Sequence, residues 1–176
     1  PWVMTPTPNG VSGLNAVVSY DIDGPGPLPA SLAARFMVGR TFPGTAAEGI
    51  TLSQSVFLLG GDYSLKANWS VYPQVNVYNQ SGGLFELMVG GVVIHQIQAP
   101  VTVTNQPSYG ILEGRFHAPS STDYTLAIRI TRTTTFGEEV LQFIDNVTAL
   151  PVCYPNCDVS SGIPLLTGND LTCFMT

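Results

Sequence analysis

About ten short runs of apolar and β-branched residues, spaced at the roughly 8–12 residues usual for sandwich strands, limit the fold of this chain more than any other feature. The segment Leu14-Asn15-Ala16-Val17-Val18-Ser19-Tyr20-Asp21-Ile22 alternates along one face, the pattern of a half-buried strand. Further strand-like runs occupy 35–38, 50–59, 63–71, 75–78, 84–89, 92–98, 109–118, 124–132 and 140–150. Between them stand turn formers: Gly60-Gly61-Asp62, Asn79-Gln80-Ser81-Gly82-Gly83, Gly90-Gly91, Ala118-Pro119-Ser120-Ser121 and Phe136-Gly137-Glu138-Glu139. Gly90-Gly91, set between two apolar runs, reads as a two-residue hairpin. Pro25, Pro27 and Pro29 mark a loop, because proline cannot donate to a sheet ladder. Only 30–34 hints at a helical turn. Runs this short and this regularly punctuated predict an all-β, antiparallel sandwich rather than a parallel sheet.

A length of 176 residues suits one domain with a short appendix. Charged residues are 10% of the chain, against the usual figure of about 25%, and Lys66 is its single lysine. The surface is therefore built largely from neutral polar side chains, glycine and apolar atoms, which neighbouring molecules cover easily. A net charge of -6 with no Lys/Arg cluster excludes nucleic acid as a partner. Interfacial membrane binding fails on the same ground, and no apolar run reaches the ~20 residues a spanning helix needs. The start at Pro1-Trp2 fits a mature secreted protein whose leader has been removed. Cys153, Cys157 and Cys173 are the only cysteines, so the main domain needs no disulfide and the tail points to an oxidising compartment. Three single pairings are open; Cys157 with Cys173 would staple the segment between them and leave Cys153 over.

The order Ser53-Gln54-Ser55-Val56, Gly61-Asp62-Tyr63-Ser64-Leu65, Phe85-Glu86-Leu87-Met88-Val89-Gly90, Tyr109 through Ala118, Thr125 through Ile130 and Phe143-Ile144-Asp145-Asn146-Val147 resembles the galactose-binding-like jelly roll over about 45–150. That resemblance implies the fold of many carbohydrate-binding modules. The chain departs from it at the start, where Tyr20-Asp21-Ile22-Asp23 and a proline loop stand in place of a Gly-Asp-Phe-Glu-like opening.

The tail, Cys153 to Phe174, resembles one calcium-loop repeat of the dockerin-like domains that end many secreted bacterial surface proteins. On that resemblance Ca2+ would be held by Asp158, Ser160, the backbone around Gly162 and Leu166, and Asp170, an oxygen-rich set on a Gly-containing loop as the ion requires. A full dockerin has two repeats and this chain has one. The competing reading is a disulfide-knotted tail in which Asp170 caps a short helix beginning near Leu171.

No Gly-x-Ser-x-Gly elbow occurs, and His95 and His117 alone cannot supply a transition-metal ligand set. Glu86 and Glu113 are the one carboxylate pair considered for glycoside hydrolysis; outward-facing strand positions are the simpler account, so no catalysis is expected. Sugar binding has a candidate cluster in Trp69, Tyr72 and Tyr78 beside Asn68, Asn76 and Asn79, because aromatic faces stack on pyranose rings. Trp69 also alternates with Leu65 and Ala67, as a core residue would. Trp2 and Met4 sit on a Pro-rich lead-in that suits an arm lying along a neighbour's sheet edge. Sequons fall at Asn68, Asn79 and Asn146.

The sequence thus predicts an arm over 1–13, a jelly-roll β-sandwich over 14–150 and a disulfide-containing tail over 151–176. The leading expectation is a secreted, extracellular, non-catalytic structural subunit of a self-assembled surface fibre, filament or layer. The alternative is a carbohydrate-binding or adhesion module acting on polysaccharide.

Overall fold

The computed structural model describes residues 1–6, 12–21, 30–38, 48–73, 81–100, 106–132 and 140–152. Ten strands make up its regular structure: β1 (Val3–Pro6), β2 (Ser12–Tyr20), β3 (Ser31–Val38), β4 (Glu48–Leu58), β5 (Gly61–Pro73), β6 (Leu84–Val89), β7 (Val92–Gln98), β8 (Ser108–Ala118), β9 (Thr122–Arg132) and β10 (Val140–Pro151). They form two five-stranded sheets, ordered β1-β4-β9-β6-β7 (sheet A) and β2-β3-β10-β5-β8 (sheet B). Every pairing is antiparallel. This is the expected all-β jelly-roll sandwich.

Alternation along each strand sends one set of side chains between the sheets. On β5 the inward set is Tyr63, Leu65, Ala67, Trp69 and Val71; on β9 it includes Leu126, Ile128 and Ile130; on β6, Phe85 and Leu87. Gln142 and Arg132 are the polar members of this interior. The Gln142 carboxamide accepts from Val38 N at 2.9 Å and donates to the Val38 and Gly82 carbonyls, so a side chain completes a ladder that the backbone leaves open.

Two glycine positions have structural reasons. Gly90 and Gly91 take φ of 57° and 84°, the positive values a two-residue hairpin of the primed type demands, and so join β6 to β7 as expected. Gly114 on β8 lies where an added Cβ would come within 2.9 Å of Ile94. Its bare backbone lets β7 of sheet A close over β8 of sheet B along one side of the sandwich.

Two local expectations change. The helical hint at 30–34 is overridden, because Ser31–Val38 pairs with β2 along its length and with β10 at Ala34–Phe36, and these ladders take up backbone groups that a helical turn would have paired locally. Val3–Pro6, expected to be part of a free arm, pairs with β4 from Ile50 to Ser53. A short edge strand tolerates its proline, and the absence of periodicity hid it. The run at 75–78, with Tyr78, and the tail beyond Val152 lie outside the described residues, as do Cys157, Asp158, Ser160, Asp170 and Cys173.

Candidate functional site

The outward face of sheet B sets aromatic, charged and amide side chains side by side. Register defines it row by row across β3, β10, β5 and β8. Arg35, Phe143, Ser70 and Tyr109 form one row; Asp145, Asn68 and Ile111 the next. Thr148, Lys66 and Glu113 follow, then Leu150, Ser64 and Arg115, and lastly Asp62 beside His117.

The first row belongs to an aromatic cluster. Ala33, Met37, Leu141 and Phe143 form a small apolar group on the side of the sheet away from the main core, with Val18, Tyr20 and Tyr72 packed against it. Tyr20 leaves the end of β2 and lies flat on Phe143, ring centroids 3.6 Å apart and planes within 3°. Its hydroxyl is 3.1 Å from Ser70 Oγ, which is fully buried beneath it. Burial raises the Tyr20 phenol above its ordinary pKa, opposed by the Ser70 hydrogen bond and assisted by the nearby Tyr72 and Asp21. Tyr109, across the sheet from Ser70, is 54% exposed.

The remaining rows are a field of hydrogen-bonding groups. Lys66 Nζ lies 3.1 Å from Glu113 Oε1, and Ser64 Oγ donates to the same oxygen at 3.0 Å. The Lys66 contact first, and the Ser64 hydroxyl second, hold the Glu113 carboxyl below the usual carboxylate range. Asp62 Oδ1 is 2.8 Å from His117 Nδ1. Ser31 donates to Asp145 Oδ2, and the Asp145 Oδ1 atom accepts from the Asn146 amide at 2.6 Å. Asn146 has φ of 50° where β10 bulges past β5, and this bulge turns the last third of β10 relative to the first.

The structure redistributes the residues singled out from sequence. Trp69 is corrected from sugar platform to core: it is 3% exposed, points between the sheets and packs on Phe85 at 5.4 Å, so neither ring face is open. Tyr72, three residues along β5 and so on the opposite face, points outward into the aromatic cluster. Tyr20, Phe143 and Tyr109 were missed. Tyr20 and Tyr72 share the outward parity of their strands, the signal that would have grouped them once the sheet order was known. Glu86 and Glu113 do not form a pair: Glu86 lies on the outer side of sheet A, gripped by Arg129 Nε at 2.5 Å and Nη2 at 2.8 Å, while Glu113 lies on the outer side of sheet B. No group of three potential metal ligands occurs among the described residues. Trp2 and Met4 line a cleft of about 360 Å³ at the edge between the sheets, with Val17, Leu32, Asp145 and Asn146.

No family model and no curated protein sequence matches the chain. Solved structures of similar shape include a carbohydrate-binding module, TmCBM61, in complex with beta-1,4-galactotriose, at 14% identity and a TM-score of 0.49, covering 86% of this chain and 89% of that one. A second comes from work on carbohydrate-binding modules of the beta-sandwich superfamily, at 8% identity and a TM-score of 0.43, covering 85% of this chain and 56% of that one. A third is the Clostridium thermocellum N-terminal endo-1,4-beta-D-xylanase 10B, CBM22-1 and GH10 modules with xylohexaose, at 17% identity and a TM-score of 0.43; 86% of this chain aligns with 26% of that one. The expectation of a fibre, filament or layer subunit is corrected: the similar solved structures named here are of carbohydrate-binding modules, and Val3–Pro6, in the segment expected to reach a neighbour, pairs with β4 of its own sheet.

Proposed function

We propose that the chain is a carbohydrate-binding module that holds a glycan along the outward face of sheet B without transforming it. The observation that carries this reading is the adjacency, on one face, of outward tyrosines and a hydrogen-bonding field. Tyr20 is preset by its stack on Phe143 and its bond to Ser70, with Tyr72 and the open ring of Tyr109 beside it. Asn68, Lys66, Glu113, Ser64 and Arg115 follow along the same strands. Pyranose rings offer an apolar C–H face to such rings and hydroxyls to such polar groups, and a rigid sheet holds both without ordering cost. The eight residue steps from Tyr109 to His117 span about 27 Å, room for an oligosaccharide rather than a single sugar.

The remaining parts of the reading concern the setting. An extracellular location accords with a sugar-binding role and with the cysteine-bearing tail. The tail acts as a calcium loop through Asp158, Ser160 and Asp170, with Cys157 and Cys173 closing it; calorimetry with Ca2+ on the full chain, against an Asp158→Ala variant, tests that part separately.

The test of the main reading is isothermal titration with soluble polysaccharides, including β-1,4-galactan and xylan, on the native chain and on Tyr109→Ala. Loss of a stacking aromatic lowers affinity by an expected 1–3 kcal/mol, which is roughly 5- to 150-fold. Tyr109 is exposed, so the thermal midpoint should stay within 2–3 °C of the parent. A bound glycan whose affinity Tyr109→Ala leaves untouched would move the site elsewhere, and silence across a broad glycan panel would end the reading.

A further inference from the structure

Three of the six cationic side chains of this acidic protein, Arg35, Lys66 and Arg115, stand on the outward face of sheet B. Every described carboxylate on that face already has a close partner inside the protein. Glu113 is taken by Lys66 and Ser64, Asp62 by His117, and Asp145 by Ser31 and the Asn146 amide. Arg35 and Arg115 take no ion pair among the described residues, and Arg35 Nε is buried with no acceptor. Arg129, by contrast, is fully engaged by Glu86 on the other sheet.

A guanidinium beside an aromatic stack with its Nε buried and no acceptor among the described residues is an incomplete arrangement. A planar fork of N–H donors matches a carboxylate with two parallel bonds, and charge-assisted bonds of that kind are the strong ones. Arg35 stands directly across from Phe143, on which Tyr20 lies. Arg115 stands three rows along and three strands across. Taking ~4.8 Å between strands and ~3.4 Å per residue, the two lie about 25 Å apart. No single anionic sugar bridges that distance. A chain carrying a carboxylate on many of its units does.

On the strength of the proposed glycan site, we infer that its ligand is an acidic polysaccharide of the polyuronate class, with carboxylates meeting Arg35 and Arg115. Of the negative charges, Glu113, Asp62 and Asp145 share this face, each held by a partner within the protein. At 0.1 M salt, charges beyond about 10 Å are largely screened, which leaves Arg35 and Arg115, neither ion-paired among the described residues, as the cations of this face open to a ligand's carboxylates.

The experiment compares polygalacturonate with the same polymer fully methyl-esterified, which keeps the backbone and removes the charge, with β-1,4-galactan and xylan as uncharged controls. Titrations on the full chain run at 20 mM and 500 mM NaCl. The acid form should bind at least tenfold more tightly at low salt, and most of that gap should close at high salt. Arg115→Gln, an exposed and structurally mild change, should weaken the acid form about tenfold and leave the ester unchanged. Arg35→Lys keeps the charge but not the fork, and should cost the acid form alone. Equal binding of acid and ester, or an Arg115→Gln variant indistinguishable from the parent on the acid form, overturns the inference. Binding of galactan or xylan without binding of the acid overturns it while the sugar-binding reading stands. Binding of no polymer removes both.

Discussion

Replacing Gln142 by leucine tests whether a buried side-chain amide holds the end of sheet B in place. The residue is fully buried on the inward side of β10. Leucine of similar volume leaves Val38 N without its 2.9 Å acceptor and Gly82 O without the 3.3 Å donor. Val38 O keeps a 3.3 Å bond from Arg132 Nη1, so it is not orphaned. A buried donor left unpaired costs about 1–3 kcal/mol, and an under-satisfied carbonyl is taken at about 1 kcal/mol. Added apolar burial returns roughly 1 kcal/mol. The expected net loss is about 2 kcal/mol, a drop of roughly 4–8 °C in thermal midpoint for a domain of this size. Gln142→Glu should be worse, because it restores the acceptor for Val38 N but faces a buried carboxylate with two carbonyl oxygens. The assay is urea denaturation followed by near-ultraviolet circular dichroism, with midpoint and slope compared. A leucine variant within 0.5 kcal/mol of the parent, or a glutamate variant more stable than the leucine one, would refute the reasoning.

Gly114→Val forces a side chain into the 2.9 Å approach of Ile94 and should cost about 1–3 kcal/mol by overpacking; an unchanged melting curve would show that β7 yields without penalty. The raised Tyr20 phenol favours the folded protein at pH values below the unfolded tyrosine pKa of about 10, and that contribution is lost as pH rises through the higher folded value. The parent should therefore lose more stability than Tyr20→Phe above about pH 10, measured by chemical denaturation across that range; parallel profiles for the two proteins would contradict it.

Much of the sandwich was legible because its strands announce themselves by alternation, and Gly90-Gly91 names its own hairpin. β1 was not, since four edge residues with a proline carry no period, and β3 was obscured by paired alanines that favour either state. The site was harder. Alternation says which residues of a strand share a face, but not which face looks outward or which strands are neighbours. Trp69 and Tyr72 are three apart on one strand and point to opposite sides, so grouping them by proximity in sequence joined a core residue to a surface one. Tyr20 and Phe143 are separated by most of the chain, and only the pairing of β2 with β3 and β3 with β10 brings them into contact. That Arg35 and Arg115 take no ion pair among the described residues depends on where the described carboxylates nearby go, which no local pattern contains.

The position of β10 has a consequence in time. It lies between β3 and β5, so sheet B exists before its arrival only as two separate halves, β2-β3 and β5-β8. Its closing contacts join residues about a hundred positions apart to β3, the kind of non-local pairing that slows folding. A ribosome making this chain must therefore release β10 before the outward face can form. Until then the edges of β3 and β5 stand open to chaperones or to strands of other chains.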